Sequence, residues 1–438
     1  MEVFKKRRQE LLKRLGGGVA VIPSAMSSRR GYDSAHPFRQ DASFYYLTGF
    51  NEPGAILVLI PQAEKCKEIL FLRPNDPSRE LWDGPRVGIQ NAPAKLDIDE
   101  AWPLHEFLPK MVGFLSGNHA LWIDYFAHAK LTKKLIRAAR FSIKTRSSVK
   151  LEKIGNLQQV IGAMRLVKEE SEIIALKKAA AVNTMAHKLA MQFAKPGLHE
   201  YEIQALVEFI FRKNGMTPAF ESIIAAGNNA TCLHYTRNNA VIKNNDLVLV
   251  DIGPEIDCMA SDVTRTFPAN GKFTSAQKDL YQVVLAAHDA AIENIASGKN
   301  LGELQEITTL KLTEGLIDLK ILKGSVAENI ETGLIKKFYP HNVSHWLGLD
   351  VHDNSPYIEE ENTPITLRQG FCFTIEPGLY IPVTAVDVPA IFKGIGIRLE
   401  DDILMTKTGH EILTAAIPIK PDDIENLVAE SFDIKLPN

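Results

Sequence analysis

Thiol pairs, long apolar runs and an excess of either charge are all missing from this chain. Its 438 residues hold four cysteines, Cys66, Cys232, Cys258 and Cys372, widely spaced and without a C-x-x-C pair. That pattern argues against a disulfide framework or a zinc–thiolate site, and a reducing cytoplasm is the expected compartment. No apolar run in the sequence approaches the roughly 20 residues needed to cross a bilayer. Fifty basic and fifty-three acidic side chains leave a formal charge of -3, so neither a nucleic-acid partner nor a membrane surface is expected. Three catalytic signatures are also missing: an H-E-x-x-H helix, a G-x-S-x-G elbow and a phosphate loop G-x-x-x-x-G-K-[ST].

What is present is ordinary for a globular enzyme, with 45% hydrophobic and 24% charged residues. The length exceeds a single core, and two or three domains are expected. Near the start, Val3, Phe4, Leu11, Leu12 and Leu15 suit an amphipathic surface helix. Glu2, Glu10 and the break at Gly16-Gly17-Gly18 argue against a targeting segment.

The densest chemistry lies in His341-Asn-Val-Ser-His345-Trp-Leu-Gly-Leu-Asp350-Val-His352-Asp353. A lone histidine is usually a satisfied surface or core residue. Three so close, beside two aspartates, point to metal ligation and proton handling, the two tasks that neutral imidazole performs best. The same chemistry directs attention to the carboxylates elsewhere.

Apolar runs at Val19–Ile22, Ala55–Ile60, Glu68–Leu72 and Ala120–Ile123 read as strands, and Lys130–Arg140 has helical spacing. The expectation is an α/β N-terminal domain over 1–165, in which Trp82 marks a turn-rich stretch. A connecting helix is expected over Leu151–Met164. Beyond it come a helix pair, Glu172–Phe193 and Glu200–Lys213, and a second pair, Ala276–Ile295 and Leu301–Leu316. Gly197-Leu-His-Glu-Tyr-Glu-Ile203 and Leu301-Gly-Glu-Leu-Gln-Glu-Ile307 hold equivalent places after the first helix of each pair. Residues 166–438 are therefore expected to form an α+β domain of two similar halves, each a helix pair joined to strands.

Between the pairs, an apolar strand ends on Asp251. A second strand carries Asp262, Thr264 and Thr266 on one face by period-two geometry. If these strands pair, the two aspartates meet. Glu376 ends another apolar run before Pro377-Gly378, and Arg398 and Glu400 are expected on one face of a strand over Gly394–Asp402. Carboxylates at the inner ends of apolar strands are costly unless paired or metal-bound. Asp251, Asp262, His345, Glu376 and Glu400 form an oxygen-rich set. It suits a pair of Mn²⁺, Fe²⁺ or Co²⁺ ions better than structural zinc. His234 is a further candidate proton handler.

These stretches resemble the aminopeptidase P (Xaa-Pro aminopeptidase) family. They are Leu233-His-Tyr-Thr, Leu247-Val-Leu-Val-Asp251, Ser261-Asp-Val-Thr-Arg-Thr-Phe-Pro, the histidine stretch, Thr374-Ile-Glu-Pro-Gly-Leu-Tyr and Gly396-Ile-Arg-Leu-Glu-Asp-Asp. Phe38-Arg-Gln-Asp and Gly49-Phe-Asn-Glu-Pro are similar to that family's N-terminal domain. The resemblance implies a pita-bread fold with a dinuclear site, usually manganese, with cobalt, iron or zinc as substitutes. It implies Asp251 as a terminal ligand of one metal, His345 and Glu376 on the other, and Asp262 and Glu400 bridging. A hydroxide between the metals would attack the first carbonyl, with Glu376 passing a proton to the leaving proline nitrogen. His234 and His352 would hold substrate and stabilise the oxyanion. His341 and Arg398 would line or brace the site, with Tyr380 at its edge as a substrate-binding residue. A neighbouring subunit's N-terminal domain helps close the cleft in the family, and Trp82 is the candidate for that contact, so a homodimer or homotetramer is expected. Asn342 stands where many relatives have glycine, which implies a local loop difference and no lost ligand.

The substrate logic is physical as well. An Xaa-Pro bond is a tertiary amide without an N–H, so proteases that grip that group fail on it. The competing reading nearest to this one is an Xaa-Pro dipeptidase with the same fold and metals; Trp346 and the phenylalanine- and tyrosine-rich N-terminal motif tilt the choice to the aminopeptidase. A methionine aminopeptidase would not need the N-terminal domain. A non-catalytic pita-bread binding protein, or a metal-free creatinase-like hydrolase, would not need five ligands.

Overall fold

The computed structural model describes residues 2–62, 66–144, 151–430 and 432. The chain divides into two compact units, Met1–Arg165 with Asn354–Pro356, and Leu166–Asp353 with Tyr357–Asn438.

In the first unit, Val19–Pro23 is an inner strand of a six-stranded sheet. It pairs antiparallel with Ile56–Pro61 and parallel with Ala120–Ile123. Val19, Ala20 and Val21 have no exposed surface, which is why this segment is a continuous apolar run instead of an alternating one. Cys66–Leu72 and Glu100–Pro103 extend the sheet on one side, and Lys153–Asn156 ends it on the other. Helices Phe107–Leu115 and Ala129–Lys144 pack over it, placing Phe107, Met111 and Leu135 against Val19 and Val21. Gly18 has φ +90°, and a β-carbon there would lie 2.6 Å from the Ala120 carbonyl oxygen. Glycine is what lets the chain enter beside its neighbour.

The expected helix over Leu151–Met164 is half right. Lys153–Asn156 is an edge strand paired with Ala120–Ile123, and the helix covers only Leu157–Arg165. Four residues are too few to show a period. Gly155 fits under the Trp122 ring, where a β-carbon would come within 2.2 Å. The stretch around Trp82 is a short helix, Pro77–Asp83, capped by the Asp76 carboxylate. None of its residues is buried, and Trp82 is 83% exposed.

The second unit repeats a plan. Helices Glu170–Phe193 and Glu200–Lys213 form one pair, and Ser275–Glu293 and Leu301–Asp318 the other. In the second helix of each pair, a glutamate at the third position accepts a hydrogen bond from the capping residue. His199 N donates to Glu202 and Asn300 N to Glu303, at 2.7 and 2.9 Å. Each cap also bridges to a distant segment, His199 to Val241 and Asn300 to Thr366. The first half supplies the sheet Val263–Pro268, Leu247–Ile252, Ile223–Ala226. The second supplies Cys372–Ile375, Asp401–Met405, His410–Ile412 and the ribbon Gly378–Ile381 with Ile395–Arg398. One large core joins the helices to Val248, Val250, Val263, Phe267, Leu379 and Ile397. A second core gathers Trp346, Phe371, Phe373, Ile375 and Ile403.

The expectation of one strand through Gly394–Asp402 is corrected. Ile395–Arg398 pairs with Gly378–Ile381, whereas Asp401–Met405 pairs with Cys372–Ile375. Leu399 and Glu400 form the crossing between two sheets, so Arg398 and Glu400 do not share a strand face. Among the described residues no helix is long and apolar enough to cross a membrane.

Candidate metal centre

Backbone register builds the site. Leu247–Ile252 and Val263–Pro268 pair antiparallel with Asp251 opposite Thr264. Asp262 lies two residues before Thr264, and hence on the same side. Glu400 N donates to Thr264 O at 3.0 Å, which ties the sheet crossing of the second half to this hairpin of the first. The histidine segment runs alongside Cys372–Ile375. Thr374 N donates to His345 O, Glu376 N to Val343 O and Leu347 N to Cys372 O, at 3.0, 2.8 and 3.0 Å.

The result is a cavity of about 450 Å³. His234, Asp251, Asp262, His341, His345, His352, Glu376, Arg398 and Glu400 all line it. Ligand atoms of Asp262, His345 and Glu400 lie within 4.8 Å of one another, all three residues buried. His345 Nε2 is 3.4 Å from Asp262 Oδ2 and 3.5 Å from Glu376 Oε1. Asp251 Oδ2 accepts from Arg398 Nη2, while its Oδ1 is buried without a hydrogen-bond partner. Tyr380 stands behind the cavity wall. Its hydroxyl accepts from Arg398 Nη1 at 2.9 Å and bonds His341 Nε2 at 2.8 Å. With His341 Nδ1 2.8 Å from the Asn342 carbonyl, Nδ1 carries the ring proton and Nε2 accepts from Tyr380. Trp82 lies in the first unit.

Some of the surroundings were not foreseen. Thr264, expected only as a face neighbour, accepts from Arg398 Nε at 2.9 Å and donates to Glu400 Oε2 at 2.7 Å. Tyr357 and Ser344 also line the cavity, and Ser344 Oγ is buried without a hydrogen-bond partner. A serine between two histidines was the available signal. Trp346 is 1% exposed, stacked on Tyr357 and packed against Phe371 and Phe373. It supports the wall and cannot discriminate substrates by contact.

The electrostatics favour a cation. Burial pushes the Glu400 carboxyl well above the usual carboxylate range, and the charges of Asp262, Glu376 and Asp251 push it further. Burial raises Glu376 to about 7 and Asp251 to about 6, against the pull of Arg398. Burial alone would lower His345, but the Asp262 and Glu376 carboxylates outweigh it and raise the imidazole to about 9. His341, buried and facing Arg398, is lowered to about 4, and burial also lowers His352. Crowded carboxylates that resist ionisation are relieved by divalent charge. The orphaned Asp251 oxygen and the oxygen-rich donor set fit such ions.

Residues 175–407 match the model for metallopeptidase family M24, and residues 4–122 match the aminopeptidase P N-terminal domain. The chain is 39% identical over 437 residues to an Xaa-Pro aminopeptidase of Haemophilus influenzae, covering 98% of this chain and 97% of the relative. The chain belongs to the aminopeptidase P family. Its fold is similar to proline aminopeptidase P II of Yersinia pestis, with a TM-score of 0.93, 37% identity, and 98% and 99% of the two chains covered. A zinc-substituted Escherichia coli aminopeptidase P in complex with product is equally similar, with a TM-score of 0.93, 37% identity and 99% of each chain covered. The pita-bread architecture of this family is thus the plan of two half-units described above.

Proposed function

We propose that the chain is an Xaa-Pro aminopeptidase, a metal-dependent hydrolase that removes the N-terminal residue from peptides with proline second. The observation that carries this is the convergence of Asp262, His345 and Glu400 from three separated segments on one buried point, in a chain of this family. The ligand assignment is two divalent cations, manganese first. Asp251, Asp262, His345, Glu376 and Glu400 would hold them. When bound, such a pair supplies an activated water and polarises the scissile carbonyl.

The remaining chemistry belongs to the chain. An amide nitrogen leaves only as an amine, so breaking the Xaa-Pro C–N bond requires a proton delivered to the proline nitrogen. Glu376 is assigned to receive the proton of the attacking water and hand it on. Its carboxylate lies 3.6 Å from His341 Nδ1 and 3.5 Å from His345 Nε2. His234 and His352 face the same cavity and are assigned to the substrate carbonyl. Positioned acid–base groups of this kind typically contribute about 10²- to 10⁴-fold. Arg398 and Tyr380 hold Asp251 and His341 in place. Trp82 is assigned to the substrate from the N-terminal domain of a neighbouring subunit. Cytoplasmic residence and a homodimer or homotetramer complete the reading, and light scattering tests the latter.

The deciding experiment pairs metal analysis with a peptide panel. Purified protein loaded with Mn²⁺ is expected to release the first residue from Xaa-Pro-Yaa-Zaa, and a chelator to abolish this until metal is restored. Cleavage of Xaa-Pro dipeptides alone would convert the reading to a dipeptidase. No metal binding would end it.

A further inference from the structure

One buried charge pair near the cavity has no place in the chemistry above. Lys168 Nζ lies 3.1 Å from Asp353 Oδ2, with side chains 2% and 1% exposed. Lys168 sits in the short link before helix Glu170–Phe193, where its backbone N donates to Gly370 O at 2.8 Å. Asp353 directly follows His352. We propose that the Lys168–Asp353 pair is a positioning device that aims His352 at the substrate.

The geometry of the segment 345–353 supports this. Its two ends are tied together, since Asp353 N donates to Trp346 O at 2.8 Å. Its middle is anchored by Ala260 N to Gly348 O at 2.9 Å, beside the strand that leads to Asp262. The charge pair packs directly on Gly348. A β-carbon there would stand 2.3 Å from Asp353 Oδ2 and 3.0 Å from Lys168 Cε. Within this loop the His352 ring meets His345 edge-on, with centroids 4.3 Å apart. Fixing the Asp353 side chain to Lys168 therefore fixes the backbone from which His352 projects. A buried ion pair is a poor device for stability, because well-packed apolar residues of similar volume do as well or better. It is a good device for register, because only one geometry satisfies it.

The inference rests on the functional reading above, and the test separates the two. Wild type, Lys168→Met/Asp353→Leu, His352→Ala and the triple variant are loaded with Mn²⁺ and assayed on an Xaa-Pro tetrapeptide. Mn²⁺ affinity is measured by calorimetry on the same proteins stripped of metal. The paired apolar exchange is expected to leave Mn²⁺ affinity within about twofold of wild type and to lower kcat/KM by about tenfold or more, as a small misplacement does. In the His352→Ala background the same exchange is expected to cost less than about twofold, because residues acting through one another are not additive. Full activity of the paired variant overturns the proposal. So do multiplying losses in the His352→Ala background, or Mn²⁺ affinity that falls in step with activity. If the paired variant does not fold, Lys168→Arg, which keeps the charge and shifts its position, is read against His352→Ala in the same way. A wild type that cleaves no proline-second peptide overturns the functional reading, and the inference with it.

Discussion

His187 touches no substrate, yet it tells how tightly the floor of the site is sealed. It is fully buried in helix Glu170–Phe193, with Nε2 3.1 Å from the Val263 carbonyl, one residue past Asp262. Burial, and then the charge of Arg265, lower it to about 3. A histidine lowered on folding binds its proton more readily in the unfolded chain, so stability is lost as pH falls from about 6.5 towards 3. The slope this group adds is about 1.4 kcal/mol per pH unit within that window. His187→Gln, which keeps a donor for Val263, is expected to flatten the pH dependence of the urea midpoint between pH 6 and 4. Equal slopes in the two proteins would contradict the assignment. At this scale the sequence spoke clearly where chemistry was concentrated. Two carboxylates ended apolar runs, two more were read on strand faces, and three histidines stood in one short stretch, and all seven line the cavity. It was silent on Lys168 and on the role of Thr264, because a lysine in a link and a threonine in a strand are common and only distant contacts give them meaning.

Among the secondary-structure elements, the hairpin Leu247–Ile252 with Val263–Pro268 is the frame, and Arg265 clamps it to the other half of the catalytic unit. Its guanidinium donates to Glu400 O at 2.6 Å, to Asp401 Oδ1 at 2.7 Å and to Pro418 O at 3.1 Å. Asp401 also meets His288 Nε2 at 3.1 Å. Arg265→Met leaves the buried Asp401 without its guanidinium and is expected to cost about 3–5 kcal/mol, as broken buried pairs do. Arg265→Lys keeps the charge but not the planar fork, and is expected to recover only part of it. Chemical denaturation of both variants checks this, and a loss below about 1 kcal/mol for Arg265→Met would contradict it. Long helices and apolar strands were legible because their periods extend over many residues. The crossing at Leu399–Glu400 was not, since alternation continues through it while the pairing partners change. Lys153–Asn156 was too short for any period.

For the molecule as a whole, cations that bind only the folded catalytic unit add to its stability by mass action. At a free metal concentration one hundred times Kd the gain is about 2.7 kcal/mol. For a unit of this size that corresponds to roughly 5–10 °C in Tm. Scanning calorimetry with and without a chelator is expected to show a shift of that order, and an unmoved transition would deny a high-affinity site. The two-half plan was legible as a repeat of segments after each first helix. The matching bridges of His199 and Asn300 give the two halves a common plan, with the second segment starting three residues earlier than the sequence repeat placed it.

The proposed ligands are divided between those halves: Asp251 and Asp262 come before residue 270, and His345, Glu376 and Glu400 after residue 340. A fragment ending anywhere between those positions inherits two of the five donors and its complement three. Truncation between those positions is therefore all-or-none, because neither remnant can assemble the donor set by itself.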